Sequence, residues 1–264
     1  MFTLFVCCSP ILLSQTTRSS LNVPWLSSAQ FGPEFTSALS FCDNSSVFPS
    51  RKGFGAGIYS EKKFMIDELN LFAFSAASFR EKSAVGISLY YFGDPVYNEI
   101  QTGIHYGKSL GKITIGAGIS YNILSVQGVE KISAVNINIS SRWKLTENIY
   151  AGMLIGNPHL PKVKNNSKAS YYKTGFGYQP SSKVYVGFEF FKEENRSLEV
   201  ITCIQYHFAE QFFARAGFIS GSNIPFFGGG WKWKDIKVEL IIGQHYVLGA
   251  SPAILFNYLK QEAE

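Results

Sequence analysis

Residues 112–123 read Lys-Ile-Thr-Ile-Gly-Ala-Gly-Ile-Ser-Tyr-Asn-Ile. Ile113, Ile115, Ala117, Ile119, Tyr121 and Ile123 fall on one parity. Lys112, Thr114, Gly116, Gly118, Ser120 and Asn122 fall on the other. Side chains alternate sides along an extended backbone, so this stretch is a strand with one apolar and one polar face. Twelve residues is long for a strand in a soluble domain. Strands of about ten residues with an apolar and a small-polar face are the unit of a barrel that crosses a bilayer. The apolar face meets lipid, and the other meets water, a plug or other polar side chains.

The same pattern recurs on both sides. Val135, Ile137, Ile139 and Trp143 oppose Asn136, Asn138, Ser140, Arg142 and Lys144. Ile100, Thr102, Ile104 and Tyr106 oppose Glu99, Gln101, Gly103 and His105. Val85, Ile87, Leu89 and Tyr91 oppose Ala84, Gly86, Ser88 and Tyr90, and Val184, Val186, Phe188 and Phe190 oppose Lys183, Gly187 and Glu189. Near the C-terminus Ile254, Phe256 and Tyr258 form an aromatic-rich face of a last strand. Extending the count from Gly53 to Leu259 predicts an all-β, antiparallel outer-membrane β-barrel of about 14 strands over 52–260. Lipid cannot satisfy an open edge, so the sheet has to close.

Composition agrees. The 264 residues are 46% hydrophobic, 16% aromatic and only 16% charged, with 24 glycines. That excludes a disordered chain and a coiled coil. A net charge of +5 is not the electrostatic footprint of a nucleic-acid binder. Charges cluster in expected turns such as Glu61-Lys62-Lys63, Arg80-Glu81-Lys82 and Lys192-Glu193-Glu194.

Connection lengths predict an orientation. Tight turns are expected at 80–82, 146–148, 180–182, 209–210 and 234–235, and longer connections at 125–130, 157–168 and 243–251. Short turns belong to the periplasm, so an even strand count places both termini there.

Residues 1–14 carry a short apolar run that suits a secretory signal peptide, with Cys7 and Cys8 inside it. Residues 15–51 are rich in Ser, Asn and Pro and lack period-two patterning. They read as a plug or hatch in the barrel, or as a periplasmic segment. A four-residue tail, 261–264, closes the chain. An oxidising compartment permits a Cys42–Cys203 bridge. Two buried thiols is the reading that needs no matching geometry.

The search for chemistry yields lumen-facing polar side chains and no catalytic set. His105, His159, His207 and His245 share no ligand spacing with Cys or carboxylates, so no metal or cofactor is expected. Gly228-Gly229-Gly230 lacks the Lys and helix of a phosphate loop, and no Gly-x-Ser-x-Gly occurs. The chain reads as a non-enzyme. The inward candidates are Lys112, Arg142, Glu189, Glu199, Arg215, Lys237 and Glu239. In a narrow barrel such charges pair across the lumen, or they line a polar path.

The stretches Phe212-Phe-Ala-Arg-Ala-Gly-Phe-Ile-Ser-Gly221, Phe227-Gly-Gly-Gly-Trp-Lys-Trp-Lys234 and Leu248-Gly-Ala-Ser-Pro252 resemble PorV-like and PorQ-like outer-membrane proteins. These belong to the FadL-like barrel group of bacteria with type IX secretion. Gly57-Ile-Tyr59 to Glu68-Leu-Asn70 is similar to the family's first hairpin, while Asn44-Ser45-Ser46 stands where that family carries Asn-Pro-Ala. The resemblance implies a barrel with an N-terminal hatch in the bacterial outer membrane. It implies an accessory or docking subunit of a type IX-like secretion or assembly complex, with outer-membrane lipid and other outer-membrane or periplasmic proteins as partners. The alternative it implies is a FadL-like transporter of small hydrophobic compounds.

Overall fold

The computed structural model describes residues 21, 25, 31–50, 52–158, 169–194 and 196–261. The expected signal peptide, the loop that holds His159 and the last three residues of the tail lie outside them.

Fourteen antiparallel strands form one closed barrel: β1 (Gly53–Lys62), β2 (Asn70–Phe79), β3 (Ser83–Gly93), β4 (Tyr97–Ser109), β5 (Ile113–Val126), β6 (Ile132–Lys144), β7 (Ile149–Gly156), β8 (Tyr171–Ser181), β9 (Val184–Glu193), β10 (Glu199–His207), β11 (Phe212–Ile219), β12 (Ile224–Trp233), β13 (Ile236–His245) and β14 (Gly249–Gln261). Each strand pairs with its chain neighbours, and β1 pairs with β14 from Gly53↔Gln261 to Glu61↔Ala253. That seam removes the open edge, whose unmet N–H and C=O groups would each cost several kcal/mol in hydrocarbon.

The deciding stretch becomes β5. Ile113, Ile115, Ile119 and Tyr121 are exposed, while Thr114, Gly116, Gly118, Ser120 and Asn122 are buried. The outer surface carries an apolar row on nearly every strand, including Ile58, Ile87, Ile104, Ile139, Phe176, Ile204, Phe227, Leu240 and Phe256. At the tight-turn end the outer face becomes aromatic. Trp231 and Trp233 stack there with ring centroids 5.8 Å apart, and Phe208 stacks on Phe212 at 6.1 Å. Such side chains suit the headgroup level of a bilayer.

Three expectations about connections are corrected. The connection over 243–251 is only Tyr246–Leu248, because Gly243↔Ser251, Gln244↔Ala250 and His245↔Gly249 keep pairing. His245 Nδ1 then accepts from the Val247 and Leu248 N–H groups, at 3.1 Å each. The turn placed at Pro180 lies at 182–183, since β8 runs on through a register shift between Tyr178 and Ser181. A proline has no N–H for a ladder and sits most easily at such an irregularity. Glu61 and Glu193 are not turn residues. They lie on β1 and β9, buried, with Glu61 accepting from the Tyr59 hydroxyl at 2.9 Å. Loop-length alternation is therefore weaker than expected: the 94–96 connection is as short as the 80–82 and 110–112 turns of the tight-turn end.

Ahead of β1, a short helix α1 (Ala38–Asp43) lies against the inner faces of β1, β2, β3, β4 and β14. Ser37 caps it, its hydroxyl accepting from the Ser40 N–H at 3.1 Å. One and a half turns cannot hold a helix in water. Packing supplies the stability, since Leu39, Phe41 and Cys42 are all buried. No disulfide forms. Cys42 Sγ donates to the Ile87 carbonyl at 3.3 Å on β3, and Cys203 stands on β10, on the opposite wall.

Candidate functional site

The lumen is where polar chemistry gathers. The wall makes room for the N-terminal segment by dispensing with side chains. A Cβ on Gly152 would lie 2.0 Å from the Phe31 ring, and one on Gly175 2.7 Å from it. A Cβ on Gly57 would meet Leu39 at 2.7 Å, one on Gly116 the Ser45 backbone at 2.3 Å, and one on Gly243 the Trp25 ring at 2.2 Å. All are contacts that real Cβ atoms do not make. Glycine at these inward positions is therefore a seat for a specific neighbour.

Polar bonds hold the same segment. Arg215 on β11 is buried, and its guanidinium lies 2.7 Å from Glu239 Oε1 on β13. Its other terminal nitrogen donates to the Trp25 carbonyl at 2.9 Å, and the group sits 4.9 Å over the Phe35 ring. Lys237 Nζ is 3.7 Å from Glu239. Across the lumen, Lys173 on β8 pairs with Asp43 of α1 at 3.6 Å, both buried. Gln101 on β4 accepts from the Leu21 N–H at 2.9 Å and donates to its carbonyl at 3.3 Å. His105 bridges the Ser88 hydroxyl at 2.9 Å and the Ser45 hydroxyl at 3.3 Å, and the Ser46 N–H donates to Ser140 Oγ at 3.1 Å. Ion pairs and amide contacts thus tie several parts of the segment to several strands.

The wall of β5 and β6 is wetter in character. Asn122 Nδ2, Asn138 Oδ1 and both amide atoms of Asn136 are buried with no hydrogen-bond partner among the described residues. Beside them lies a cavity of about 20 Å³ between Gln101, His105, Asn138, Lys173 and Asp43. That is room for about one water. A second cavity of about 320 Å³ opens at the tight-turn end between α1 and the β10–β14 wall.

Of the seven sequence candidates, the fold brings three together: Arg215, Lys237 and Glu239. Glu189 is buried on β9, and Arg142 and Glu199 are half-buried on the inward faces of β6 and β10. Lys112 does not reach the lumen. It lies exposed in the turn before β5, where its carbonyl accepts from the Lys144 N–H at 2.8 Å. Sequence reading missed Asp43 and Lys173. The parity of Tyr171, Lys173, Gly175 and Gly177 on β8 could have flagged the lysine. Nothing local could have flagged Asp43, because its partner is far along the chain. Among the described residues no three His, Cys, Asp or Glu side chains gather as a metal site.

No family model matches the chain. No curated protein matches it in sequence. Solved structures do match it in shape. The outer membrane protein Omp33 of Acinetobacter baumannii is 11% identical, with a TM-score of 0.53, over 79% of this chain and 98% of that one. The KdgM porin is 10% identical, with a TM-score of 0.46, over 77% and 98%. The likeness to Omp33 is one of fold, a closed antiparallel β-barrel.

Proposed function

We propose that the protein is a non-enzymatic barrel of the bacterial outer membrane, of the transport class, with both termini in the periplasm. In this reading the N-terminal segment, 15–51, is a hatch that closes the lumen at rest, and a small solute passes when the hatch yields. One observation carries it: inward glycines on several strands are matched to individual side chains of that segment. A wall shaped to a removable filler supports a gate better than a permanent core. The unpartnered amides of β5 and β6 favour a hydrated side to the passage.

The test is single-channel recording in planar bilayers. The full chain is expected to be silent or to flicker, and a variant lacking residues 15–51 to conduct steadily. Equal silence from the shortened barrel, with its heat-modifiable migration intact, overturns the reading.

A second reading rests on the same filled lumen. A subunit that only docks needs no path, which agrees with the accessory role in a type IX-like complex that the family resemblance implies. Extraction in mild detergent divides the two. Travel in a complex far larger than one barrel supports docking, and a lone particle supports transport.

A further inference from the structure

We propose that the outer wall over β2–β5 holds a site for one anionic phospholipid, with its phosphate at the tight-turn end and an acyl chain in a groove of the same strands. Two separate observations meet there: a cluster of exposed cations and a hollow in the lipid-facing surface. The site is on the outside of the barrel. It therefore goes beyond both readings of the lumen and rests only on the membrane location they share.

The cations come from neighbouring turns. Arg80 and Lys82 belong to the β2–β3 turn, Lys108 ends β4 and Lys112 precedes β5, and all four are exposed. The two turns touch, since the Ser109 N–H donates to the Lys82 carbonyl at 2.8 Å. The acids of this sector have partners of their own. Glu81 lies 3.7 Å from Lys52, and Glu147 pairs with Lys144. Arg80, Lys82, Lys108 and Lys112 form no ion pair among the described residues. Glu210 and Asp235 stand in the β10–β11 and β12–β13 turns, outside this sector. Glu262 and Glu264 follow β14 in the chain, and four strand pairings separate β14 from β4. Basic side chains just outside the hydrocarbon attract anionic headgroups.

The hollow lies on the outward face of the same strands. Thr102 on β4 and Ala117 on β5 are short side chains among larger ones, and the groove around them has a volume of about 860 Å³. Register sets the rim: Thr102 stands between Leu89 and Tyr121, and Ala117 beside Tyr106. Lys108 is the next outward position of β4 after Tyr106. From Thr102 to Lys108 the strand advances about 20 Å. At a barrel tilt of about 40° that is roughly 15 Å of depth, half of a hydrocarbon core of about 30 Å. A lipid whose phosphate meets Lys108 therefore has the length of one leaflet in which to lay a chain along the groove.

The test is native mass spectrometry of the full chain in neutral detergent, with dipalmitoyl phosphatidylglycerol and dipalmitoyl phosphatidylcholine added in equal amounts. The anionic lipid should be retained at least about tenfold more than the zwitterionic one. The double variant Lys108→Gln/Lys112→Gln alters exposed side chains and should leave heat-modifiable migration unchanged. It should cut that preference at least about fivefold. Thr102→Leu/Ala117→Leu fills the groove and should lower retention of both lipids alike, by about threefold, because the groove offers fit and not extra hydrophobicity. Glycerol phosphate in excess should displace neither lipid. Equal retention of the two lipids overturns the proposal and leaves the cations to an acidic protein partner. Displacement by glycerol phosphate overturns it in favour of a free-phosphate site. An unchanged preference in the lysine variant, or unchanged retention in the groove variant, overturns it as well.

Discussion

Arg215 is the side chain on which the lumen's contacts converge, touching Glu239, the Trp25 carbonyl and the Phe35 ring at once. Arg215→Ala leaves Glu239 buried beside Lys237 alone, at 3.7 Å. Breaking a buried pair costs about 3–5 kcal/mol, and a matching loss is expected in denaturant unfolding of the detergent-solubilised barrel. Arg215→Lys should recover only part of it, because one ammonium cannot span the carboxylate and the carbonyl as a planar fork does. Neighbouring glycines give a sharper contrast. A Cβ on Gly230 would meet the Phe213 ring at 2.1 Å, whereas one on Gly229 finds only the Phe213 carbonyl at 3.9 Å. Gly230→Ala should lower the unfolding midpoint, and Gly229→Ala should leave it in place or raise it. The inward parity of Gly230 was legible in the sequence. That Phe213 fills its space was not, because register fixes that contact.

At the scale of elements, the strands were readable and their ends were not. Alternation marks β5 from Ile113 to Asn122, since lipid and lumen make opposite demands on neighbouring positions. Near the ends both faces meet water, and the pattern loses its cause. Hence Glu61 and Glu193 lie on strands where the sequence predicts turns, and the hairpin tip is only Tyr246–Leu248 where it predicts a longer loop. The belt has a direct test. Ile119 is 58% exposed on the outer face of β5 and Ser120 is buried beside it. Ile119→Arg should destabilise the barrel in a bilayer by about 2–4 kcal/mol if the site is near mid-depth. In detergent micelles, which deform around a charge, the loss should shrink. Helix α1 was not legible as a helix. Six residues carry no periodicity, and Ala38–Asp43 is helical because its side chains find places on five strands. Leu39→Ala should therefore release the segment at a cost of about 2–5 kcal/mol. Faster proteolysis ahead of β1, with the strands still resistant, is the readout.

Across the whole molecule, what the sequence could declare was closure and what it could not was occupancy. Fourteen alternating strands imply a tube whatever fills it. The filling depends on contacts between distant residues, such as Asp43 with Lys173 and Leu21 with Gln101. Those two latches lie on different strands of the wall, so they should act together. Asp43→Asn and Gln101→Leu are each expected to raise open probability in bilayers only modestly. The double variant should approach the conductance of the barrel lacking 15–51. Simple additivity of the two single effects, with no approach to that level, would mean that the segment is held elsewhere.

The pairing of β1 with β14 also dictates an order of events. The chain ahead of β1 leaves the ribosome first, yet the strand that shuts the wall around it is the last one described. Helix α1, packed on five strands, must therefore be in place, or be threaded in later, when the final seam zips. Bringing together the two ends of so long a loop is the slowest kind of contact a chain can make. Assembly should then stall at an open-sided sheet with its cargo already loaded, and any factor that holds the two edge strands apart would decide whether the vessel is sealed full or empty.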